Sequence, residues 1–362
     1  MSNQIGSTLK LQIFGESHGP YIGGILDGLA PGFTVDEMFI TQQLKTRQPQ
    51  FTFNTTRIED DKWQFVSGVH QGRTTGAPLA VLIENSAFDS SEYNQNDLPR
   101  PSHADYAAKI KYQGFNDQRG GGVFSGRTTV ALVALGALCR KILAKKGVLI
   151  GSHIFQVDKL YDKYDERNLS ELITTNLTEP LVVYDPEIKT QIIEFLNETK
   201  AAEDSCAAIV ESHVLNLPIG IGEPYFAGLE SSLATALFSI PSIKGLEFGS
   251  GFSLVDLPGS LANDEFYLDG EQIKTTTNHS GGVNGGLSNG MPLSFKTIIK
   301  APSSIGKTQK TVNLKTDKEE NITIVGRHDS FIANRVMVVL DNMIAYVILD
   351  LCLSQFGKEW ML

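Results

Sequence analysis

The pattern of polar and apolar positions predicts several β-strands. Residues 8–14 alternate polar and apolar side chains, as a half-buried strand does, and residues 21–29 form a matching segment after a short loop. We expect these two segments to pair around the loop sequence GESHG. Further strands are predicted at residues 63–69, 78–84, 206–217 and 294–300.

Helices are predicted where apolar residues recur at helical spacing. Thr34 and Glu37 form a capping box, in which the hydroxyl and the carboxylate satisfy the first free amides of a helix ending near Thr46. Residues 128–146 carry basic side chains in the last turn and are followed by Gly147 as a stop. The other predicted helices are residues 186–202, 231–239 and 330–353.

This mixture of strands and helices favours an α+β fold. The sequence has no internal repeat and no Pro-rich or Ser-rich linker, so we expect residues 1–362 to form a single domain. The most apolar run, residues 336–353, contains Asp341, Asn342 and Asp350, which a bilayer core would penalise. That run is therefore expected to be a buried helix, and no membrane segment is predicted.

Composition limits which binding partners and which cellular compartment we expect for this protein. The net charge is -10 at pH 7 and the sequence pI is about 5.2, so nucleic acid is not an expected partner and any anion site must be local. Cys139, Cys206 and Cys352 lie far apart in apolar runs, as is typical of reduced core thiols. Since the N-terminal residues do not resemble a signal peptide, we expect a cytoplasmic protein.

Four of the seven histidines lie in short segments rich in glycine or charge: His18, His103, His279 and His328. A histidine flanked by glycine leaves room for a ligand, and its ordinary pKa of about 6.5 suits proton transfer at neutral pH. For any one of them alone, a hydrogen-bonded structural role is an equal alternative. The clustering favours chemistry, and we predict that His18 and His103 handle protons.

Six arginines stand in or beside the same segments: Arg47, Arg100, Arg119, Arg127, Arg327 and Arg335. The planar and permanently charged guanidinium group suits carboxylate and phosphate. The alternative is that some of them form structural ion pairs with nearby aspartates, namely Asp105, Asp117, Asp329 and Asp341. As a set, the arginines predict an anion pocket.

Glycine-dense segments at residues 120–122 and 281–286 predict turns or places where the backbone meets a ligand. Neither has the GxGxxG spacing, which disfavours a Rossmann site. Residues 301–308 resemble a relaxed phosphate-binding P-loop, but the first glycine is missing and the following segment is strand-like. A nucleoside triphosphatase is therefore not predicted.

Two other classes of site are also disfavoured. A hydrolase triad of Ser17, His18 and Asp329 is conceivable, but adjacent serine and histidine side chains do not easily reach one another, and no nucleophile elbow is present. No histidine has a second histidine at helical spacing or a nearby cysteine pair, so no metal site is predicted. The remaining hypothesis for the site is acid–base chemistry on a phosphorylated anion.

These segments, in this order, resemble the chorismate synthase family. The match runs from Gly6 to about Leu353 and comprises FGESHG, SGVHQGRTTGAPLAVLIEN, PRPSHADY, DQRGGG, GEPYF, SIPSIKGLEFGSGF, NHSGGVNGGLSNGMP and GRHDS. The resemblance implies a β-α-β sandwich that assembles as a homotetramer. It also implies reduced FMN as the cofactor and an anti 1,4-elimination of phosphate that converts 5-enolpyruvylshikimate 3-phosphate to chorismate.

The resemblance assigns roles position by position. His18 matches the histidine that protonates the departing phosphate, and His103 matches the one that supplies a proton to the reduced flavin. Asp329 matches an aspartate near the flavin that takes part in removing the ring hydrogen. The matches to substrate-binding arginines are Arg47, Arg100, Arg127 and Arg327. The segments that line the flavin contain Ser125, Gly282, Lys300, Ser303, Ser304 and Arg327.

Three positions depart from the commonest family pattern. Val123 and Phe53 stand where many members have arginine, and Ser102 stands where glycine is usual. A branch of the family shares the PSH and FSGR segments, so we interpret these as subfamily differences.

A catalytically impaired homologue and a plain phosphate-ester hydrolase are the alternative functions. Because no reductase segment or nicotinamide motif is visible, we expect an external flavin reductase as a partner.

Overall fold

The computed structural model describes residues 3–56, 60–85, 97–324, 326 and 328–362. The strands of this part of the chain are β1 (Gln4–Ile5), β2 (Lys10–Gly15), β3 (Tyr21–Asp27), β4 (Trp63–Ser67), β5 (Val69–His70), β6 (Arg73–Thr74), β7 (Leu79–Glu84), β8 (Leu149–Val157), β9 (Leu160–Tyr161), β10 (Ala208–Leu215), β11 (Ile243–Phe248), β12 (Phe266–Asp269), β13 (Gln272–Thr275), β14 (Val283–Asn284), β15 (Leu287–Ser288), β16 (Leu293–Ile299), β17 (Gln309–Asn313) and β18 (Lys318–Ile322). Its α-helices are α1 (Glu37–Thr46), α2 (Asp105–Lys111), α3 (Val130–Lys145), α4 (Leu169–Thr175), α5 (Pro186–Ala201), α6 (Leu229–Leu237), α7 (Gly259–Ala262) and α8 (Ala333–Phe356).

Two five-stranded antiparallel sheets enclose a pair of helices. The first sheet has the order β1-β2-β3-β7-β4 and the second has the order β11-β16-β10-β8-β9. Helix α3 packs on β3 and β7 of the first sheet, and α8 packs on β8 and β10 of the second. The α+β class and the β-α-β sandwich are thereby confirmed, whereas the single-domain assignment stays a prediction.

The helices α3 and α8 are apolar around most of their circumference, and a helix of that kind must be buried on all sides. They contact each other closely at Gly136, where a Cβ atom would lie only 2.3 Å from the backbone oxygen of Asn342. Helix α8 is long and apolar enough to cross a membrane, but 89% of its apolar window is buried inside the protein. It is the predicted core helix.

Polar side chains of α8 anchor neighbouring segments. Asp350 accepts backbone N–H bonds from residues 7 to 9, at 2.9, 2.9 and 2.7 Å. Asp341 accepts from the hydroxyl of Ser152 at 2.5 Å and pairs with Arg140 at 3.3 Å. Burial raises the pKa of Asp341. These carboxylates therefore join the central helix to both sheets.

Most of the predicted elements are confirmed, with shifts of a few residues at their ends. The predicted strand pair is β2 and β3, in which Lys10 lies opposite Asp27. The capping box was a wrong prediction, because Thr34 forms an isolated antiparallel bridge with Arg73. The carboxylate of Asp36 caps α1 instead and accepts from the N–H of Phe39 at 2.9 Å. Within the two five-stranded sheets, β1, β8, β9 and β11 were not predicted.

The contact between the central helices gives a stability prediction. We expect Gly136→Ala to lower the free energy of unfolding by about 1–3 kcal/mol, because the added methyl group meets backbone that cannot rotate away. The better helix propensity of alanine, about 1 kcal/mol, offsets part of the clash. Urea unfolding measures the difference. Gly259→Ala in α7 is the control, since no atom lies within 4 Å of its added Cβ. An unchanged free energy for Gly136→Ala would contradict the close packing.

Candidate functional site

Two neighbouring cavities share part of their walls. The larger has a volume of about 480 Å³ and the smaller a volume of about 330 Å³. Both volumes lie within the range of about 300–1,000 Å³ that is typical of small-molecule sites. The residues that line both are Gly120, Ser125, Gly126, Pro241, Ser242, Asp329 and Ile332. Most of the predicted site residues lie around these two cavities.

His103 lies in the wall of the larger cavity. Its Nδ1 atom is 3.0 Å from the carbonyl oxygen of Pro101, and its Nε2 atom is 3.0 Å from Oγ of Ser304. Because a carbonyl only accepts, Nδ1 carries the proton of the neutral ring and Nε2 is its basic atom. Burial, and then the charge of Arg100, lower the pKa of His103.

Basic side chains lie in the wall of the larger cavity, together with the carboxylates of Asp105, Asp117 and Asp329. Lys244, Lys300 and Arg100 all line it. Arg100 forms a bidentate pair with Asp105 at 2.8 Å for both bonds, whereas Lys300 donates to the carbonyl oxygen of Ser102 at 3.2 Å. Burial, and then the charge of Lys244, lower the pKa of Lys300. The two lysines form an anion-attracting end near the predicted residues Ser303 and Ser304.

The smaller cavity lies at the N-termini of both central helices. The 3₁₀ turn Gly126–Thr129 leads into α3 and lines the cavity, as do residues just before and within the first turn of α8. Unpaired N–H groups and the helix dipole make such ends favourable for anions. Arg47, Arg127 and Arg335 line the same cavity. Three of the six arginines of the predicted anion pocket therefore line this smaller cavity.

Arg127 is held by a buried polar network. Its Nη1 atom forms an ion pair with Asp61, and its Nε atom donates to Oδ1 of Asn85 at 3.1 Å. The amide nitrogen of Asn85 donates in turn to the carbonyl oxygens of Ser17 and Gly19, both at 2.7 Å. Arg127 is thus tied to the loop that carries His18.

His18 is buried directly behind the glycine triplet. A Cβ atom on Gly120 would lie 2.6 Å from Nε2 of His18 and 2.6 Å from Oγ of Ser17. All three glycines have positive φ angles, +60°, +95° and +55°. Ser17 lines the smaller cavity and Gly120 lines both, whereas His18 is not among the described residues that line either cavity. The predicted glycine turn lets the histidine approach the cavity wall.

Asp329 lines both cavities and is held from two directions. Its Oδ1 atom accepts from the backbone N–H of Thr55 at 2.8 Å, and its Oδ2 atom accepts from Nη1 of Arg335 at 2.8 Å. Arg335 also donates to the carbonyl oxygen of Arg47 at 3.0 Å. The carboxylate is therefore fixed in orientation where the two cavities meet.

Besides His18, two further predicted site residues have no described position at the cavities. Gly282 is not among the described residues that line them, and its φ of +83° serves a close approach to the backbone of Pro292, where a Cβ would lie 2.5 Å from the carbonyl oxygen. Arg327 lies outside the described residues. Ser125 does line both cavities, and its hydroxyl accepts from the backbone N–H of Arg127 at 3.2 Å.

The ion-pair alternative holds for several arginines. Arg100 pairs with Asp105, and exposed Arg119 pairs with Asp117 at 2.8 Å. Phe53, which stands where arginine is common, is fully buried and stacks on Phe51 with ring centroids 5.0 Å apart. Phe53 is therefore a core residue in this chain.

Some site residues were missed from the sequence. Ser242 lines both cavities, has a φ of +77°, and accepts from the backbone N–H of Lys300 at 2.9 Å. The preceding Pro241 was the only local signal of a turn. Asp61 had no signal, and Asn85 was noted only as the last residue of a family segment, because their partner Arg127 is distant in the sequence.

These features define an α+β protein with a cleft whose walls carry arginine, lysine, histidine and aspartate side chains. The family model described as chorismate synthase matches residues 9–353. A chorismate synthase of Aeropyrum pernix is 39% identical over 362 residues, which is 99% of this chain and 95% of the relative. One of Thermococcus kodakarensis is 39% identical over 357 residues, with 98% and 99% covered.

A solved structure agrees with these relatives. A crystal structure of chorismate synthase has a TM-score of 0.76 to this chain at 26% identity, and the match covers 98% of this chain and 94% of that one. The chain belongs to the chorismate synthase family. It is therefore an enzyme with a small-molecule substrate, from a family that implies a flavin cofactor.

The environment of His103 gives a pH prediction. We expect its ring to titrate below the ordinary value of 6.5, because burial and Arg100 disfavour the charged form. The unfolded chain then binds the proton more tightly than the folded chain does. The contribution of His103 to the free energy of unfolding is therefore complete above pH 6.5 and is lost as the pH falls through the lowered pKa. NMR titration, with the signal assigned by His103→Gln, measures the midpoint. Arg100→Gln should raise it, and a wild-type midpoint at or above 6.5 would contradict this environment.

Proposed function

We propose that this chain is a cytoplasmic lyase that converts 5-enolpyruvylshikimate 3-phosphate to chorismate by anti 1,4-elimination of phosphate, the last step of the shikimate pathway. Membership of the family supports the reaction. The observation that carries the proposal is the position of Asp329, a fixed carboxylate in the walls of both the arginine-lined cavity and the cavity of His103. Substrate and cofactor can then meet at one carboxylate.

The smaller cavity is proposed to bind the substrate. Arg47 and Arg127 would hold its phosphate and carboxylate groups, with help from the N-terminal ends of α3 and α8. Arg127 is immobilised by Asp61 and Asn85, so little side-chain entropy is lost when an anion binds. Arg100, which lines the larger cavity, and Arg327 are proposed as further substrate-binding residues from their matched positions.

The larger cavity is proposed to hold FMN. Its volume of about 480 Å³, the hydroxyls of Ser125, Ser303 and Ser304, and the ammonium group of Lys300 suit a polar, phosphorylated cofactor. Gly282 is proposed as a further contact. The chemistry that reduced FMN supplies when bound is a transient electron, which weakens the allylic carbon–oxygen bond and is returned afterwards. We propose that a separate reductase provides the reduced flavin.

Three side chains are proposed to move protons. His18, held beside Gly120, would protonate the departing phosphate and so stabilise its developing charge. His103 would supply a proton at the flavin end through Nε2, the ring atom that takes up the second proton and lies 3.0 Å from Oγ of Ser304. Asp329 would take part in removing the ring hydrogen, with both oxygens oriented by Thr55 and Arg335.

Anaerobic turnover tests this function. Incubation with 5-enolpyruvylshikimate 3-phosphate and reduced FMN is expected to yield chorismate and phosphate in equal amounts, and neither product should appear without the flavin. Absorbance of chorismate and a phosphate assay measure the two products. Phosphate without flavin would instead indicate a phosphate-ester hydrolase, and flavin binding without any product would indicate an impaired homologue.

Substitutions of the two histidines test their assigned roles. His18→Ala and His103→Ala are expected to lower turnover about a hundredfold or more while retaining much of the flavin binding. His70→Ala is the matched control, because His70 is exposed on β5 and lies outside both cavities. Wild-type rates for His18→Ala and His103→Ala would refute their proposed roles.

A homotetramer is proposed from the exposed apolar side chains between residues 219 and 273. The exposed fraction reaches 89% for Tyr225, 97% for Phe226, 85% for Phe252 and 86% for Val255. Apolar groups concentrated in this way mark protein contacts. Other copies of this chain are the proposed partners, in agreement with the assembly that the family resemblance implies.

Sedimentation analysis tests the assembly. The wild-type chain is expected to sediment as four copies, and the pair of changes Phe226→Ser and Phe252→Ser is expected to shift it to smaller species, because buried apolar contact is lost. Phe115→Ser is the control, since Phe115 is 91% exposed but lies outside the segment. A monomeric wild-type protein, or an unchanged mass for the double variant, would overturn the assignment.

A further inference from the structure

Three buried side chains of the second sheet meet away from the cavities. His153 of β8 lies opposite Glu211 of β10, and His213 is two residues further along β10. Since side chains alternate between the faces of a strand, all three project from the same face. Their potential ligand atoms lie within 4.8 Å of one another. Within the described part of the chain, neither cavity is lined by any of the three.

The distances in this cluster are close to those of a coordination sphere. Oε2 of Glu211 is 3.2 Å from Nε2 of His153 and 3.9 Å from Nε2 of His213. The hydroxyl of Tyr164 lies 2.9 Å from that same carboxylate oxygen and 3.3 Å from Nε2 of His213. Ligands at about 2.0–2.2 Å from a tetrahedral ion are about 3.3–3.6 Å apart. Shifts of less than about 1 Å would therefore bring these atoms around one ion.

The outer nitrogens of both histidines are held by other groups. Nδ1 of His153 is 2.7 Å from Oδ2 of Asp162, and Nδ1 of His213 is 2.9 Å from Oγ of Ser294. Asp162 is itself fixed by the backbone N–H groups of Tyr184 and Asp185, at 2.8 and 2.9 Å. A carboxylate or hydroxyl on the outer nitrogen is the usual second partner of a metal-binding histidine, because it orients the ring.

We propose that His153, Glu211 and His213 form a structural site for a divalent transition-metal ion of the zinc class, with the hydroxyl of Tyr164 beside the fourth position. Two imidazoles and one carboxylate favour Zn²⁺ or Co²⁺ over Mg²⁺ and Ca²⁺, which prefer oxygen ligands. Lys296 lies 4.0 Å from Oε1 of Glu211, so the ion would bind Oε2 and replace its contacts with Nε2 of His153 and the hydroxyl of Tyr164. The proposal reverses the sequence prediction of no metal site.

Burial explains why such a site would act on stability. The side chains of His153, His213 and Glu211 are 0%, 3% and 12% exposed. An ion there would join β8, β10 and the segment that carries Tyr164. Ions that bind only the folded chain stabilise it by mass action. The alternative occupant of the cluster is a proton, held by His153 between Asp162 and Glu211.

Direct metal binding to the wild-type protein is the first experiment. The full chain, without an affinity tag and after dialysis against a chelator, is titrated with ZnCl₂ by calorimetry and with CoCl₂ by visible absorption. We expect one ion per chain, the intense absorption of tetrahedral Co²⁺, and a higher Tm with Zn²⁺. No binding of either ion, or an octahedral Co²⁺ spectrum, would overturn the proposal in favour of the proton.

Variants then locate the ion. His213→Gln and Glu211→Gln should abolish the Co²⁺ absorption and the shift in Tm, and Ser294→Ala should weaken binding about tenfold to a hundredfold, because it frees the ring of His213. His70→Gln and Cys206→Ser are the controls for an exposed histidine and a thiol, and both should bind like the wild type. Should His213→Gln fail to fold, Ser294→Ala decides, and unchanged affinity there refutes the assigned ligands.

Discussion

The burial of α3 against α8 is the constraint on which the rest of the structure depends. Both helices are apolar around most of their surface, so neither can face water, and each needs a sheet on its outer side. Gly136 lets the two backbones approach closely. The pairing also directs both N-termini to the smaller cavity, so one packing requirement creates both the layers of the fold and an anion-attracting point.

Charge in the site is fixed in place before any ligand binds. Arg127 is held by Asp61 and Asn85, and Asp329 is held by Thr55 and Arg335. Such pairing reduces the net charge of the cleft but fixes the direction of each group. In a water-poor site, oriented charges act more strongly on a reacting anion than mobile ones, because they do not need to reorganise during the reaction.

The sequence predicted those parts of the fold and site that depend on local patterns. Alternation and helical spacing predicted β2, β3, α3 and α8, and the density of arginine and histidine predicted an anion pocket. The capping box at Thr34 failed because the backbone bridge to Arg73 determines the conformation there. Only the family resemblance suggested the flavin, since neither spacing nor composition distinguishes it from other anions.

What the sequence could not predict depends on contacts between distant residues. Asn85 contacts Arg127 across 42 positions, and Glu211 meets His153 across 58. Asn85, just after β7, meets Arg127 in the turn before α3, whereas the register of β10 against β8 brings Glu211 and His153 together. The same register explains the missed cluster of His153, Glu211 and His213, whose residues have no motif spacing along the chain.

Ser102 adopts a backbone angle that glycine adopts most easily. Its φ of +59° lies in the left-handed region, where a side chain costs about 1 kcal/mol and glycine is favoured. That backbone angle accompanies two contacts in the larger cavity, since the carbonyl of Ser102 accepts from Lys300 at 3.2 Å and that of Pro101 meets Nδ1 of His103 at 3.0 Å. A serine that keeps the angle keeps both contacts. The strained turn thus orients Lys300 and His103 in one cavity wall.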